Sequence, residues 1–317
     1  KYEEYSNANN FTGEEKNGAV YSKSQWKKIN ELIEQKIGHI KEPQFKQAVK
    51  RILEQNVEYI DFDLEGLKVK KFNRKVRLNP NDDEIRNKIL PQKRRTINPN
   101  LEREVQEELD ELENQDIIGK LMYPTVPPAN LVLAKKKNSS KLRICCDYKN
   151  LNSVLPSHWQ PMPDQRSLLN KLGFFKQRVI WSSIDCTKCF WQFQIDERDR
   201  DLTSFYGIDN VYFWKRMPFG LKSAPGICQD NLQRALLKKG EFSKNSRQCL
   251  YIDDVLLTNL KSETKQAIDD LNEMFTNIRN ANITINFKKS KFLQEKQIEF
   301  MGVVLKSTSS GIKMKVD

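Results

Sequence analysis

Two adjacent carboxylates lie between two apolar runs and leave this part of the chain few ways to fold. In residues 249–258 (CLYIDDVLLT), the residues on both sides of Asp253 and Asp254 are mainly apolar, which is typical of buried strands. A two-residue break between strands predicts a tight hairpin. Neighbouring carboxylates at its tip repel each other unless a cation lies there, and such hard oxygen ligands suit Mg²⁺. The alternative is an exposed acidic turn.

A third carboxylate ends another apolar run. Residues Val179–Asp185 predict a strand that places Asp185 at its end, with the aromatic residues Phe190 and Trp191 shortly after it. Two-metal phosphoryl transfer needs carboxylates from at least two chain segments, and Asp185 together with the Asp-Asp pair supplies them. Taken alone, Asp185 is better explained as a strand-end cap.

Two further segments carry residue types that suit a nucleotide. Residues 130–134 and 142–146 predict a hairpin with a basic tip, at which Lys136 and Arg143 could together hold a triphosphate. The small and rigid residues of the loop 217–225 (MPFGLKSAP) would let its backbone approach a ligand closely. Viewed alone, the hairpin is better explained as a solvated basic turn, and an ordinary loop before a helix would look similar to residues 217–225.

The charge of the chain favours a polyanionic partner. Lys and Arg number 54 against 42 Asp and Glu, which gives a net charge of +12, and residues 68–77 contain six basic and no acidic side chains. Clustered cations gain free energy on a phosphate backbone by releasing counterions. Solubility alone is the alternative. No run approaches 18 apolar residues, so no membrane partner is expected, and the six cysteines predict free thiols in a reducing compartment.

Interleaved helical and alternating patterns predict an α+β fold rather than a doubly wound parallel one. Helices are predicted over residues 22–37, 44–56, 99–118, 227–237 and 262–279, and further strands near residues 211–216, 283–287 and 299–305. Residues 1–77 are interpreted as a polar and helical linker region of uncertain role, and residues 78–317 as the main domain.

The order of these segments resembles the reverse transcriptases of long-terminal-repeat retrotransposons and retroviruses, most closely those of Ty3/gypsy-like elements. The likeness covers roughly residues 78–305, in which MPFGLKSAP and YIDD match palm motifs and residues 114–152 match the start of the fingers. It implies a right-hand polymerase fold with fingers and palm in residues 78–317 and an antiparallel palm sheet backed by helices. Because the chain stops 12 residues after Leu305, the thumb and ribonuclease H domain are expected to be absent.

The same resemblance implies roles for individual residues. Asp185, Asp253 and Asp254 would be the catalytic triad and would bind two Mg²⁺ ions, with Mn²⁺ as a substitute. The nucleotide pocket would be lined by Lys136, Arg143, Phe190, Gln192, Phe219 and Gly220, with the ring of Phe190 excluding a 2′-hydroxyl. Protonation of the leaving pyrophosphate would fall to Lys288 or Lys289, and the primer grip to Phe300, Met301 and Gly302.

The implied function is an RNA-directed DNA polymerase that transfers nucleotides from dNTPs to a primer on an RNA or DNA template. Other partners would be the protease, ribonuclease H and integrase of the same Pol precursor. The protein would lie in the cytoplasm within virus-like particles, or alternatively in the nucleus. Two rivals remain: a catalytically silent nucleic-acid-binding or partner copy of the fold, and an RNA-synthesising polymerase, against which Phe190 argues.

Overall fold

The structure is a computed structural model that describes residues 21–64, 75–78, 84–135, 142–156, 162–237 and 246–316. It has the mixed α+β architecture that the interleaved patterns predict. The helices are α1 (Lys23–Ile37), α2 (Pro43–Gln55), α3 (Pro99–Asn114), α4 (Lys149–Val154), α5 (Gln165–Leu172), α6 (Cys189–Gln192), α7 (Ala224–Leu236) and α8 (Thr264–Ala281).

Sixteen strands are defined within the described residues, most of them short. The strands are β1 (Ile60–Asp61), β2 (Lys75–Val76), β3 (Ile118–Leu121), β4 (Leu131–Lys135), β5 (Leu142–Cys146), β6 (Val179–Asp185), β7 (Gln194–Ile195), β8 (Phe205–Tyr206), β9 (Val211–Trp214), β10 (Ser246–Tyr251), β11 (Asp254–Leu260), β12 (Ile285–Asn286), β13 (Lys291–Gln294), β14 (Gln297–Phe300), β15 (Val303–Thr308) and β16 (Gly311–Val316).

A four-stranded antiparallel sheet, in the order β10-β11-β6-β13, forms the centre of the fold. Alternate side chains of a strand point to opposite faces, and here both faces are covered. Ile180 and Ile184 of β6 pack with helices α7 and α8, whereas Trp181 packs with α5 and the sheet β14-β15-β16. Burial on both faces explains why β6 and β11 read as nearly continuous apolar runs.

The first two helices belong to the same core as the central sheet. Ile29, Ile33 and Ile37 of α1 are fully buried in that core, and β1 pairs in parallel with β12, which follows α8. The interpretation of residues 1–77 as a linker region therefore needs correction for the described residues 21–64. Their amphipathic faces pack against the main domain, so these described residues share one core with it.

Several boundaries differ from those predicted. Helix α3 ends at Asn114 rather than at residue 118, because Asp116 adopts a positive φ of 56° and the Ile117 N–H turns back to the Leu112 carbonyl. Five short strands follow α8 where two were predicted. No helix in the described ranges is long and apolar enough to cross a membrane.

Candidate active site

The three predicted carboxylates meet at one end of the central sheet. In the antiparallel pairing of β6 with β11, Asp185 lies directly opposite Asp254. Asp253 lies in the turn just before β11, and its carbonyl accepts a hydrogen bond of 3.1 Å from the N–H of Cys186. The register of two strands that are far apart in sequence thus holds the three side chains together.

The turn between β10 and β11 is strained, and a side chain of helix α7 stabilises it. It consists of Ile252 and Asp253, so the prediction that the two aspartates themselves form the turn is wrong by one residue: Asp254 is the first residue of β11. Ile252 has a positive φ of 56°, which is unfavourable for a β-branched residue. Gln229 of α7 stabilises this conformation, because its Oε1 accepts from the Ile252 N–H (2.7 Å) and its Nε2 donates to the Leu250 carbonyl (3.2 Å).

The electrostatics of the site favour a bound cation. Burial raises the pKa of all three carboxyl groups above the ordinary value, and that of Asp254 reaches about 6 because Asp253 and Asp185 also repel its charge. Lys289 opposes the effect: its Nζ lies 3.2 Å from Oδ2 of Asp185. A second positive charge among these oxygens would remove the remaining repulsion.

The donor chemistry fits Mg²⁺, although the described residues do not form a closed metal cage. No three His, Cys, Asp or Glu side chains of the described ranges converge on one point closely enough to hold a metal ion. Magnesium typically retains waters and uses only one or two carboxylates together with substrate phosphates. Crowded carboxylates with raised pKa values match that pattern, and the reverse transcriptase resemblance implies a divalent ion at the same three residues.

Replacing Asp254 by Asn should stabilise the metal-free protein in a pH-dependent way. A carboxyl group whose pKa is raised on folding to about 6 favours the folded state at low pH, and this contribution is lost as the pH rises through 6. In EDTA we therefore expect Asp254→Asn to melt roughly 2 °C above the unsubstituted protein at pH 8, and at the same temperature below pH 4.

Differential scanning fluorimetry at both pH values measures this effect, with Asp209→Asn, at an exposed position, as the control. Added Mg²⁺ should stabilise the unsubstituted protein at pH 8 more than the variant. A variant that is less stable than the unsubstituted protein at pH 8 in EDTA would show that the three carboxylates do not repel each other.

A cavity of about 240 Å³ connects the carboxylates with the predicted primer grip. Its lining residues are Ser183, Ile184, Asp185, Asp254, Lys289, Lys291, Glu299, Phe300, Met301 and Gly302. The last three form the predicted hairpin between β14 and β15, in which Met301 and Gly302 both have positive φ. Of the two candidate general acids, the cavity includes Lys289 and not Lys288.

The structure assembles the aromatic part of the predicted nucleotide pocket. The half-buried ring of Phe190 meets the ring of Phe219 edge-on, with centroids 5.2 Å apart, and the guanidinium of Arg143 lies over Phe219 at 5.2 Å. Gly220 has a φ of 97°, and a Cβ there would come within 2.8 Å of the Cys146 carbonyl oxygen. Lys136 lies outside the described residues.

The prediction that Gln192 lines the nucleotide pocket is wrong. Its side chain is buried, and its amide is fully engaged with backbone: Nε2 donates to the carbonyls of Thr187 and Thr284 (2.6 and 2.8 Å), and Oε1 accepts from the Thr284 N–H (2.9 Å). Gln192 therefore fastens α6, which carries Phe190, to the segment after α8. Because both of its amide hydrogens are donated to backbone carbonyls, this buried glutamine has no donor left for a nucleotide.

Three residues that shape the site were missed at the sequence level. Besides Gln229, Asn152 holds the loop of Phe219 in place by donating to the Gly220 carbonyl (2.8 Å) and accepting from the Lys222 N–H (2.9 Å). The buried hydroxyl of Ser290 accepts from the N–H of Asp185 (3.1 Å). All three are ordinary polar residues, and only the position of Asn152 within the matched fingers motif offered a signal.

Comparison with known proteins places this site in a family. Residues 134–305 match the family model described as reverse transcriptase (RNA-dependent DNA polymerase). The chain is 31% identical over 217 residues to the retrovirus-related Pol polyprotein from transposon 297 of Drosophila melanogaster and 32% over 219 residues to that from transposon opus. It is 30% identical over 220 residues to the enzymatic polyprotein of cauliflower mosaic virus (strain Strasbourg).

The matches cover most of this chain but only a small part of each relative. They include 66–68% of this chain, but the chain spans only 19%, 20% and 30% of the three relatives. Each relative is therefore a much longer protein than the segment it shares with this chain.

Solved structures show the same fold at lower identity. The foamy viral protease-reverse transcriptase in complex with RNA/DNA hybrid has a TM-score of 0.73 at 17% identity, over 95% of this chain and 37% of that one. A form in complex with double-stranded DNA has a TM-score of 0.72 at 18% identity, over 90% of this chain and 47% of that one. The predicted right-hand polymerase fold, with fingers and a palm built on the central sheet, is thereby confirmed. The family model also covers more than half of the length of this chain. This chain therefore belongs to the reverse transcriptase (RNA-dependent DNA polymerase) family.

Proposed function

We propose that this chain is the fingers and palm of an RNA-directed DNA polymerase encoded in a retrotransposon-type Pol polyprotein. The observation that carries the proposal is the register that sets Asp185 opposite Asp254, with Asp253 in the adjoining turn. The cavity beside these carboxylates is also lined by Lys289 and the hairpin at Met301. A phosphoryl-transfer site needs this combination of metal ligands, a proton donor and a surface for the primer end.

In the proposed reaction, the primer 3′-hydroxyl attacks the α-phosphate of a dNTP and pyrophosphate leaves. Two Mg²⁺ ions, or Mn²⁺ in their place, would supply the positive charge that lowers the pKa of the hydroxyl and stabilises the leaving oxygens. The carboxylates of Asp185, Asp253 and Asp254 must be ionised to bind cations. The Lys289 ammonium, which lies exposed beside Asp185, would then donate its proton to the leaving pyrophosphate.

The nucleotide would bind between the palm and the fingers. Arg143, together with Lys136, would bind the triphosphate through charge-assisted hydrogen bonds. The ring of Phe190 would lie beneath the sugar, where it leaves no room for a 2′-hydroxyl, and the backbone at Gly220 would lie close to the nucleotide. Selection of deoxynucleotides would then be steric.

The proposed nucleic-acid partner is a template–primer duplex. The net charge of +12 supports a strongly salt-dependent affinity for phosphate backbone. Two of the similar foamy viral structures are complexes with double-stranded DNA and with an RNA/DNA hybrid, and that likeness supports such ligands for this chain. Protease, ribonuclease H and integrase domains of the same precursor would be further partners, with cytoplasmic virus-like particles as the location.

Primer extension on an RNA template tests the proposal. With Mg²⁺ and dNTPs, we expect elongation of a DNA primer on RNA and on DNA templates, no elongation in EDTA, and poor use of ribonucleotides. Duplex binding should be measured in the same samples by fluorescence anisotropy. Binding without elongation would favour the rival, a catalytically silent copy of the fold, and efficient ribonucleotide use would favour an RNA-synthesising polymerase.

A further inference from the structure

The turn that carries Lys289 is fastened to the catalytic strand β6. Asn286 shapes this turn: its Oδ1 accepts from the Lys289 N–H (2.9 Å) and its carbonyl accepts from the Ser290 N–H (3.0 Å). Ser290 in turn accepts from the N–H of Asp185, and the Lys289 ammonium lies 3.2 Å from the Asp185 carboxylate. Any shift of the turn would therefore move both the proposed proton donor and one proposed metal ligand.

The opposite side of the same turn is held by the first helix of the chain. Lys36 of α1 donates from Nζ to the Lys288 carbonyl at 2.9 Å, although the two residues are 252 positions apart. The same ammonium lies 5.1 Å from the ring centroid of Phe287. At the end of α1, His39 donates from Nε2 to the Phe292 carbonyl at 2.9 Å.

Strand β1 adds a third attachment. The Phe287 N–H donates to the Asp61 carbonyl (3.0 Å), and the ring of Phe62 packs on that of Phe287 with centroids 4.7 Å apart. The segment 287–292 is thus bounded by β6 on one side and by residues 36–62 on the other. These N-terminal residues lie outside the segment 134–305 that matches the family model.

Packing alone does not account for a lysine at position 36. The side chain is partly buried, and both burial and the nearby charge of Lys291 lower its pKa. An apolar side chain would cover Phe287 without that desolvation penalty. What the lysine adds is a donor with a fixed target, the Lys288 carbonyl, in the middle of the turn.

We propose that Lys36 is a positioning residue for nucleotide addition: through the Lys288 carbonyl it holds the 286–290 turn, and thereby fixes the Lys289 ammonium beside Asp185. In this role helix α1, together with the β1 region, forms a brace for the active site. The inference rests on the proposed function for its kinetic consequence, but the mechanical part stands on contacts that can be measured without catalysis.

Hydrogen exchange tests the mechanical part. Lys36→Met keeps the length and apolar stem of the side chain and removes the donor. We expect the amides of residues 287–290 to exchange roughly tenfold faster in this variant and at the original rate in Lys36→Arg, which restores a donor. Lys28→Met, on the exposed side of α1, is the matched control. Unchanged exchange in Lys36→Met, or equal acceleration in Lys28→Met, would overturn the brace.

Single-turnover primer extension tests the kinetic part. At saturating dNTP we expect Lys36→Met to lower the rate of addition roughly fivefold, with dNTP and duplex dissociation constants unchanged and with rescue by Lys36→Arg. In a Lys289→Ala background, Lys36→Met should cause no further loss, because the two residues would act through one group. Equal losses in both backgrounds would show a purely structural role and overturn the inference.

Failure of the proposed function and failure of the brace give different results. If the unsubstituted protein extends no primer, the proposed function fails, while the exchange rates still decide whether the brace exists. If Lys36→Met lowers the melting temperature far more than Lys28→Met does, His39→Ala serves in its place, since it removes the neighbouring bond to the Phe292 carbonyl. The same exchange pattern is then expected, and its absence would overturn the brace.

Discussion

Asp185→Asn and Asp253→Asn are each expected to lower nucleotide addition by about 1,000-fold or more, which is the order of effect when a ligand of a catalytic metal is lost. Asparagine keeps the volume of the side chain but has no charge with which to bind a cation. Strand pairing positions Asp185 and a backbone hydrogen bond from Cys186 positions Asp253, so the fold should persist. Single-turnover primer extension beside duplex binding by anisotropy measures both properties.

Asp209→Asn, at an exposed position away from the central sheet, is the matched control and should extend primers at the original rate. The two active-site variants should also melt no lower than the unsubstituted protein in EDTA, because each loses a carboxyl group with a raised pKa. Near-normal extension rates for both variants would refute the assignment of these carboxylates. Loss of duplex binding together with a lower melting temperature would instead indicate a damaged fold.

Phe190→Val is expected to relax the rejection of ribonucleotides by roughly tenfold or more, because removal of a steric block needs no new hydrogen bond. The ring is only partly buried and meets the ring of Phe219 edge-on, so part of it remains exposed. Some loss of efficiency with dNTPs should accompany the change, since the contact beneath the sugar is lost. The measurement is kcat/KM for a dNTP and its ribonucleotide on one primer.

A purely structural role for Phe190 gives a different result. Truncation of a core phenylalanine typically costs about 3–5 kcal/mol of unfolding free energy and would lower both activities together. Phe275→Val, at a fully buried position in α8, is the control that shows this behaviour: it should lower the melting temperature and leave the discrimination ratio unchanged. A Phe190→Val protein with the same ratio as the Phe275→Val protein would reject the steric gate.

Much of the active site was predictable from short segments. The apolar runs around Asp253 and Asp254, and the run that ends at Asp185, predicted the strands that carry the three carboxylates, and the structure brings those strands together. The prediction succeeded because strand and helix periodicities reflect local backbone geometry. The amphipathic pattern of α1 and α2 was visible for the same reason, although the surface on which these helices pack was not.

Hydrogen-bond partners between distant segments were beyond prediction. The family resemblance implied that Gln192 lines the pocket, yet the fold turns it inward to the backbone of Thr284. The choice of Lys289 over its neighbour, and the contact of Lys36 with the turn beneath it, likewise depend on packing between segments far apart in sequence. The types and order of the catalytic residues can thus be predicted from local sequence patterns. The direction of each polar side chain is set by whichever donor or acceptor the packed chain leaves within reach, because a buried polar group must find a partner.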